Sequence, residues 1–137
     1  MSVPTITVNG NLVKDPENRQ TNNGKSMTTF TIAYTRRNFN QQTHQWEDKN
    51  TSYLDVTCFD TLATNAHQSL HKGSSVIITG QLEQHHYQNK DGQNRSSWRL
   101  LADTIGVSLN RGIVTVTTPQ TYPAPQGNYN AQSNFDF

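Results

Sequence analysis

The sequence contains one cysteine, Cys58, so no disulfide can form within the chain. This excludes disulfide-stapled secreted scaffolds and suits a reducing compartment. Long apolar runs are also missing, because the strongly apolar stretches extend for only a few residues, whereas a membrane-spanning helix needs about 20. Residues 1–5 show neither the basic nor the apolar region of a secretory signal. We therefore expect a soluble, cytoplasmic protein that has no membrane partner.

Apolar and charged residues are both scarce. Hydrophobic residues make up 31% of the 137-residue chain and charged residues 15%, and the mean hydropathy is -0.80. These values predict one domain with a small core, or a chain of which part is unpacked. The net charge of +1 is not by itself typical of a nucleic-acid-binding protein, so any basic surface has to be local.

The sequence also lacks recognisable catalytic motifs. It has no glycine-rich phosphate loop and no serine-centred nucleophile elbow. His67 and His71 have the i, i+4 spacing that can bind zinc, but no glutamate follows His67 and no third ligand lies at a useful spacing. A simpler interpretation is a pair of surface histidines near a helix C-terminus, where the helix dipole favours a cation. We expect no enzyme activity, no cofactor and no metal site.

What is present is a strand, Tyr53–Phe59, with two different faces. Because side chains alternate along a strand, the apolar residues Leu54, Val56 and Cys58 all point toward one side, where we expect a core. The opposite face carries Tyr53 and Phe59 at its ends, with two polar residues between them. Aromatic rings opposite a core stripe form either a second packing surface or a platform for flat ligands.

Further elements flank this strand. Alternating apolar residues predict strands over residues 5–13, 27–37, 75–88 and 94–105, with a short extended piece near 19–21 and a hairpin turn at Asp91-Gly92. Four-residue apolar spacing predicts a helix that is capped by the Asp60 carboxylate and closed by Gly73. Residues 39–50 are polar and are predicted to form a long connection.

Five strands with one short helix between the third and the fourth predict an all-β OB-fold, a small Greek-key barrel with a long β-hairpin. Gly10 and Gly80 interrupt core rows, which is typical of strands that bulge, bend sharply or approach another backbone closely. We assign the barrel to residues 1–112 and a candidate extra strand to residues 113–117. Residues 118–137 are rich in proline, glutamine and asparagine, and we predict that they form a disordered tail.

Aromatic residues and cations occur together in a pattern that suits single-stranded nucleic acid, which needs flat side chains for bases and positive charges for phosphates. The candidate stacking residues are Phe39, Tyr53, Phe59 and Tyr87. The candidate phosphate contacts are Arg36, Arg37, Lys49, Lys72, Lys90 and Arg95. The alternative is that Phe59, and more so Trp98, which shares parity with Leu100, pack inside the barrel or at a subunit interface.

An ordered set of short motifs carries a family resemblance between about Val3 and Leu109. The motifs are Val8-Asn9-Gly10-Asn11-Leu12 with Asp15-Pro16-Glu17, Phe30-Thr31-Ile32-Ala33, Leu70-His71-Lys72-Gly73-Ser74, Gly80-Gln81-Leu82, and Tyr87 followed by Lys90-Asp91-Gly92. Together they resemble the bacterial single-stranded DNA-binding proteins of the homotetrameric OB-fold type. Ile105-Gly106-Val107-Ser108-Leu109 and the segment that follows look most like actinobacterial members.

The resemblance implies a nucleoid-associated homotetramer. It would bind single-stranded DNA independently of sequence and protect it during replication, recombination and repair. It also implies that the four aromatics stack bases and that residues 113–117 hook subunits together. Family tails usually end in several acidic residues and a terminal Pro-Phe that recruit replication and repair proteins. Here Asp136 and Phe137 are the candidate partner-binding tip, and the acidic run is reduced.

Two other functions stay open from the sequence. The chain suits an accessory paralogue used in conjugation, by a phage or in DNA uptake, as the reduced tip would permit. It also suits an OB-type or primosome-type interaction module whose aromatics contact proteins. His85 and His86 occupy hairpin positions where relatives often carry arginine or lysine, so we expect DNA affinity to depend on pH.

Overall fold

A computed structural model describes residues 3–117 of the chain. Within these residues, six strands and one α-helix follow one another, and a short 3₁₀ turn, Leu109–Arg111, comes after the last strand. The elements are β1 (Thr5–Leu12), β2 (Glu17–Gln20), β3 (Ser26–Asn40), β4 (Gln45–Phe59), α1 (Asp60–Ser69), β5 (Ser75–Gln88) and β6 (Asn94–Val107).

The strands form one sheet that closes on itself. Their order is β1-β5-β6-β4-β3-β2, and β1 also pairs with β3 through Asn11 and Leu12. All pairings are antiparallel except that of β4 with β6, which is parallel over Asp55–Thr57. A closed ring with one helix after its third long strand confirms the predicted OB-type barrel, and β2 is a four-residue addition alongside β3.

The core follows from the alternation along the strands. Its buried apolar residues are Leu12, Phe30, Ile32, Leu54, Val56, Cys58, Ala63, Ala66, Leu70, Val76, Ile78 and Leu100. Helix α1 closes one end of the barrel, and the buried Thr28 hydroxyl donates a hydrogen bond of 2.6 Å to the Ala63 carbonyl. Burial raises the pKa of the Cys58 thiol to about 11, so the thiol stays protonated and unreactive at neutral pH.

Both glycines singled out in the sequence lie where two backbones approach closely. A Cβ at Gly80 would overlap the Leu101 carbonyl group, at a point where the pairing of β5 with β6 shifts register. A Cβ at Gly10 would lie 3.0 Å from the Ala33 carbonyl oxygen, next to the place where β1 turns from β5 to β3. The glycines therefore allow the barrel to close.

The predicted long connection over residues 39–50 is wrong. β3 and β4 continue through it as a projecting hairpin, and Phe39 pairs with Trp46 near the tip. No Asn-Gly or Asp-Gly pair marks this turn in the sequence, so the hairpin was not recognised. Its turn instead uses His44 with a φ of 59°, a conformation that a non-glycine residue adopts at some cost. The polar composition reflects exposure of both faces beyond the end of the barrel.

Two predicted helix signals are also wrong. Asp60 is the first helical residue and has a φ of 62°; the capping position is Phe59, where no side chain accepts a hydrogen bond. Helix α1 ends at Ser69, and Gly73, with a φ of 91°, belongs to the following turn. The Gly73 amide donates to the Leu12 carbonyl, so this glycine joins the turn to β1.

The chain after β6 bears on two further predictions. Residues 113–117 are outside the strands, so they add no strand to this barrel, and their pairing with another subunit stays a prediction. The tail over 118–137, including Asp136 and Phe137, lies outside the described residues. No helix among residues 3–117 is long and apolar enough to span a membrane.

We predict that Gly80→Ala lowers the free energy of unfolding by about 3 kcal/mol, because the added methyl group overlaps the backbone of Leu101. Gly106→Ala is the matched control: this glycine is also in the β5–β6 hairpin, and no atom lies within 4 Å of the position that its Cβ would occupy. It should change stability by no more than about 1 kcal/mol. Urea unfolding midpoints measure both, and equal effects would contradict the close approach.

Candidate nucleic-acid interface

The sides of β3, β4, β5 and β6 that point away from the core form one continuous surface, here called the outer sheet face. Strand register defines its members, since paired residues lie on the same side of a sheet. Ala33 pairs with Tyr53, and Asp55 pairs in parallel with Arg99. Tyr87 pairs with Arg95 on the hairpin formed by β5 and β6. Both long hairpins therefore contribute to this face.

The structure exposes all four predicted stacking residues. Tyr53 is 66% exposed, Phe59 39%, and Phe39 and Tyr87 45% each. Phe59 pairs with Met27 at the base of the outer sheet face, so it does not pack inside this barrel. Tyr53, Phe59 and Tyr87 share the face by alternation and register.

Phe39 projects near the tip of the hairpin formed by β3 and β4, where it has an aromatic neighbour that the sequence analysis did not select. The Phe39 and Trp46 ring centroids are 5.4 Å apart at 60°, an edge-to-face contact. Trp46 is 61% exposed. The sequence analysis missed the pairing of Trp46 with Phe39, because the polar residues on both sides of Trp46 show no strand pattern.

Trp98 is exposed at 54%, so the expectation that it packs inside the barrel is wrong for this chain. It has the parity of Leu100, but it pairs with Gln84 on the part of the hairpin that extends past the barrel. In that part of the hairpin, the side of the strand that carries Leu100 no longer faces the core. A subunit interface at Trp98 stays a prediction.

A groove of about 250 Å³ crosses the centre of the outer sheet face. Its lining is mostly polar and charged: Lys14, Glu17, Thr29, Phe30, Thr31, Asp55, Val56, Thr57, His85, Ser97 and Arg99. The Thr31 hydroxyl donates a hydrogen bond of 2.7 Å to Asp55 Oδ1. Arg99 donates from Nε to Glu83 at 2.8 Å, and Lys14 Nζ lies 3.8 Å from a Glu17 carboxylate oxygen. Lys14 and Arg99 are cations that the sequence analysis did not select.

The predicted phosphate contacts are distributed unevenly. Arg95 lies on the outer sheet face opposite Tyr87, and Lys90 lies in the turn at the tip of that hairpin. Arg36 and Arg37 are consecutive in β3 and so point to opposite sides; the Arg37 guanidinium lies 3.3 Å from the Asp48 carboxylate. Lys49 lies in β4 where the register shifts.

Lys72 is separate from this group. It lies in the turn between α1 and β5, where its backbone N–H donates to Asp15 Oδ1 at 2.7 Å. That position is beside the turn between β1 and β2.

Among residues 3–117, no three or more histidine, cysteine, aspartate or glutamate side chains are grouped to hold a metal ion.

Comparison with known proteins agrees with this architecture. The chain matches the family model described as the single-strand binding protein family over residues 3–108. A single-stranded DNA-binding protein of Corynebacterium glutamicum is 46% identical over 104 residues, which cover 76% of this chain and 46% of that protein. The corresponding protein of Paenarthrobacter nicotinovorans is 39% identical over 132 residues, covering 96% of this chain and 75% of that one. The match thus spans less than half of the Corynebacterium protein.

A solved structure is similar in fold as well. The crystal structure of a small single-stranded DNA-binding protein from Streptomyces coelicolor superposes with a TM-score of 0.71 at 33% identity, covering 82% of this chain and all of that one. These relatives are actinobacterial, which confirms the predicted resemblance. The family match over 3–108, the barrel and the relatives agree, and the chain belongs to the single-strand binding protein family.

Proposed function

We propose that this protein binds and protects single-stranded DNA during replication, recombination and repair, without catalysing a reaction. The observation that carries the proposal is the outer sheet face, where Tyr53, Phe59 and Tyr87 are exposed on one surface beside Arg95. Exposed rings on a folded sheet cost free energy in water unless a ligand covers them. Family membership supports the same ligand.

Stacking explains how such a face binds DNA of any sequence. Every base has a flat π-surface, and each base stacked on an aromatic ring contributes about 1–3 kcal/mol. We assign Tyr53, Phe59 and Tyr87 to the central track and extend it along the projecting hairpin with Phe39 and Trp46. Phe39, Tyr53 and Tyr87 carry single six-membered rings, which offer less stacking area than a tryptophan indole, so we expect affinity to be moderate.

Phosphate contacts supply the second part of the binding energy. We assign Arg95 and Lys90 to the hairpin that carries Tyr87, and Arg36, Arg37 and Lys49 to the hairpin that carries Phe39. Lys72 would serve only a strand that continues past the turn between α1 and β5. Because the net charge is +1, these local cations act without a strongly basic background.

We propose that the protein acts as a homotetramer. Apolar side chains after the barrel support self-association, because Leu109 is 68% exposed, Ile113 98% and Val116 82%.

Replication and repair proteins are the proposed partners of the Asp136-Phe137 tip. An accessory role in conjugation, in a phage or in DNA uptake would use the same binding face.

Tyr53→Ala should weaken binding to an unstructured oligonucleotide by about 1–3 kcal/mol, because a stacking platform is lost. Tyr34→Ala is the control, since Tyr34 is an exposed tyrosine of the same hairpin that points to the opposite side. Fluorescence titration measures affinity, and light scattering measures the assembly. If Tyr53→Ala with Phe59→Ala abolishes assembly and leaves DNA affinity unchanged, the aromatics serve protein contacts, as in an interaction module.

Affinity should fall as salt concentration rises, because each neutralised phosphate releases counterions, with a slope of about 0.7 per contact for single strands. Arg95→Ala should make the slope of log affinity against log salt shallower by about that amount. Lys25→Ala, in the turn between β2 and β3, should leave the slope unchanged. Affinity that is independent of salt would contradict phosphate neutralisation altogether.

A further inference from the structure

The centre of the outer sheet face carries a negative charge that phosphate binding does not explain. Asp55 lies on β4 two residues from Tyr53 and four from Phe59, and all three point outward. At about 3.3 Å per residue, Asp55 is roughly 7 Å from Tyr53 and roughly 13 Å from Phe59 along the strand. An exposed carboxylate thus stands between two stacking rings.

Within residues 3–117, no cation forms an ion pair with Asp55. The two cations of the groove have other partners, since Lys14 is near Glu17 and Arg99 is held by Glu83. The Asp55 carboxylate instead accepts a hydrogen bond at Oδ1 from the Thr31 hydroxyl. Thr31 orients the carboxylate without neutralising it, and a carboxylate keeps free lone pairs on both oxygens after one such bond.

This charge limits what can approach the groove. A phosphate placed against Asp55 would be repelled, so we expect the DNA backbone to pass over Arg95 and Lys90 on the hairpin of β5 and β6, with its bases turned toward the sheet. A base stacked on Tyr53 would then present an edge to Asp55. An ionised carboxylate only accepts hydrogen bonds, so the complementary edge must carry N–H donors.

The four bases differ in this respect. Guanine presents adjacent N1–H and N2–H₂ donors that match a carboxylate, and cytosine and adenine each present one amino group. Thymine presents a single N3–H between two carbonyl oxygens, which repel a carboxylate. The groove has room for such an edge, with a volume of about 250 Å³ and hydroxyl groups of Thr29 and Ser97 in its lining.

We propose that Asp55 is a specificity-determining residue that reads the amino-bearing edge of a base stacked beside it. It favours guanine most and disfavours thymine. This inference rests on the proposed function and adds a graded base preference to a face that otherwise accepts every sequence. Thr31 acts as the positioning residue, because its hydroxyl fixes one carboxylate oxygen and leaves the other free to accept from a base.

The test compares an all-thymine oligonucleotide with one of equal length in which isolated thymines are replaced by guanine, spaced so that no quadruplex forms. Fluorescence anisotropy of the full chain should show about fivefold tighter binding of the guanine-bearing strand. Asp55→Asn should bring the ratio of affinities close to one, because its amide NH₂ donates to thymine as readily as its carbonyl accepts from guanine.

Asp103→Asn is the matched control. Asp103 is an exposed aspartate of β6 that does not line the groove, so this variant removes the same charge and should retain the fivefold ratio. The salt slope should be equal in all three proteins, because a base contact releases no counterions. The amide introduced by Asp55→Asn keeps a carbonyl oxygen for Thr31, and equal melting temperatures would verify that the fold is intact.

Two results would overturn the proposal while leaving the proposed function in place. One is an unmodified protein that binds both strands equally or prefers thymine. The other is an Asp55→Asn variant that binds both strands more tightly by the same factor, as expected if Asp55 only repels phosphates. An unmodified protein that binds neither strand would refute the proposed function and this inference together.

Discussion

The short parallel pairing of β4 with β6 is the interaction on which the rest of the molecule depends. It joins residues 55–57 to residues 99–101 and converts two long hairpins into a closed barrel. Because strand side chains alternate, this one register puts Val56 and Leu100 into the core and Asp55 and Arg99 onto the outer face. A slip of one residue would exchange the two faces. The core and the candidate DNA interface are therefore specified by the same backbone hydrogen bonds.

The barrel buries one face of each long hairpin at its base and leaves both faces exposed toward its tip. Core residues lie near the base of each hairpin, whereas past Tyr34 and Leu82 both faces of each arm are largely exposed. Side chains of core parity, such as Trp98, become surface residues there. A small core of this kind is enough, since the arms need only backbone pairing and cross-strand contacts such as Phe39 with Trp46 to keep their shape.

Charge on the interface is balanced locally. The groove combines Lys14 and Arg99 with acidic neighbours, and Arg37 lies close to Asp48. The Lys14–Glu17 and Arg37–Asp48 pairs are exposed and contribute about 0–1 kcal/mol each to stability, so an anionic ligand can compete for these two cations at small cost. In the proposed function, such an arrangement favours reversible binding, in which aromatic rings stack on bases and the charges steer the strand.

The sequence by itself determined the barrel class, the chain order of the long strands and the inward-facing row of β4, and it left Phe59 open between stacking and packing inside. These features depend on alternation and on glycines at close backbone approaches, and both are local properties of the chain. The tertiary structure alone decided the rest. The hairpin arms over residues 39–50 and the exposure of Trp46 and Trp98 depend on where the barrel ends, which no local pattern encodes. The groove around Asp55 combines residues of β3, β4, β5 and β6 with Lys14 and Glu17 from the region of β2. The parallel pairing of β4 with β6 and the antiparallel pairing of β2 with β3 bring these distant residues together.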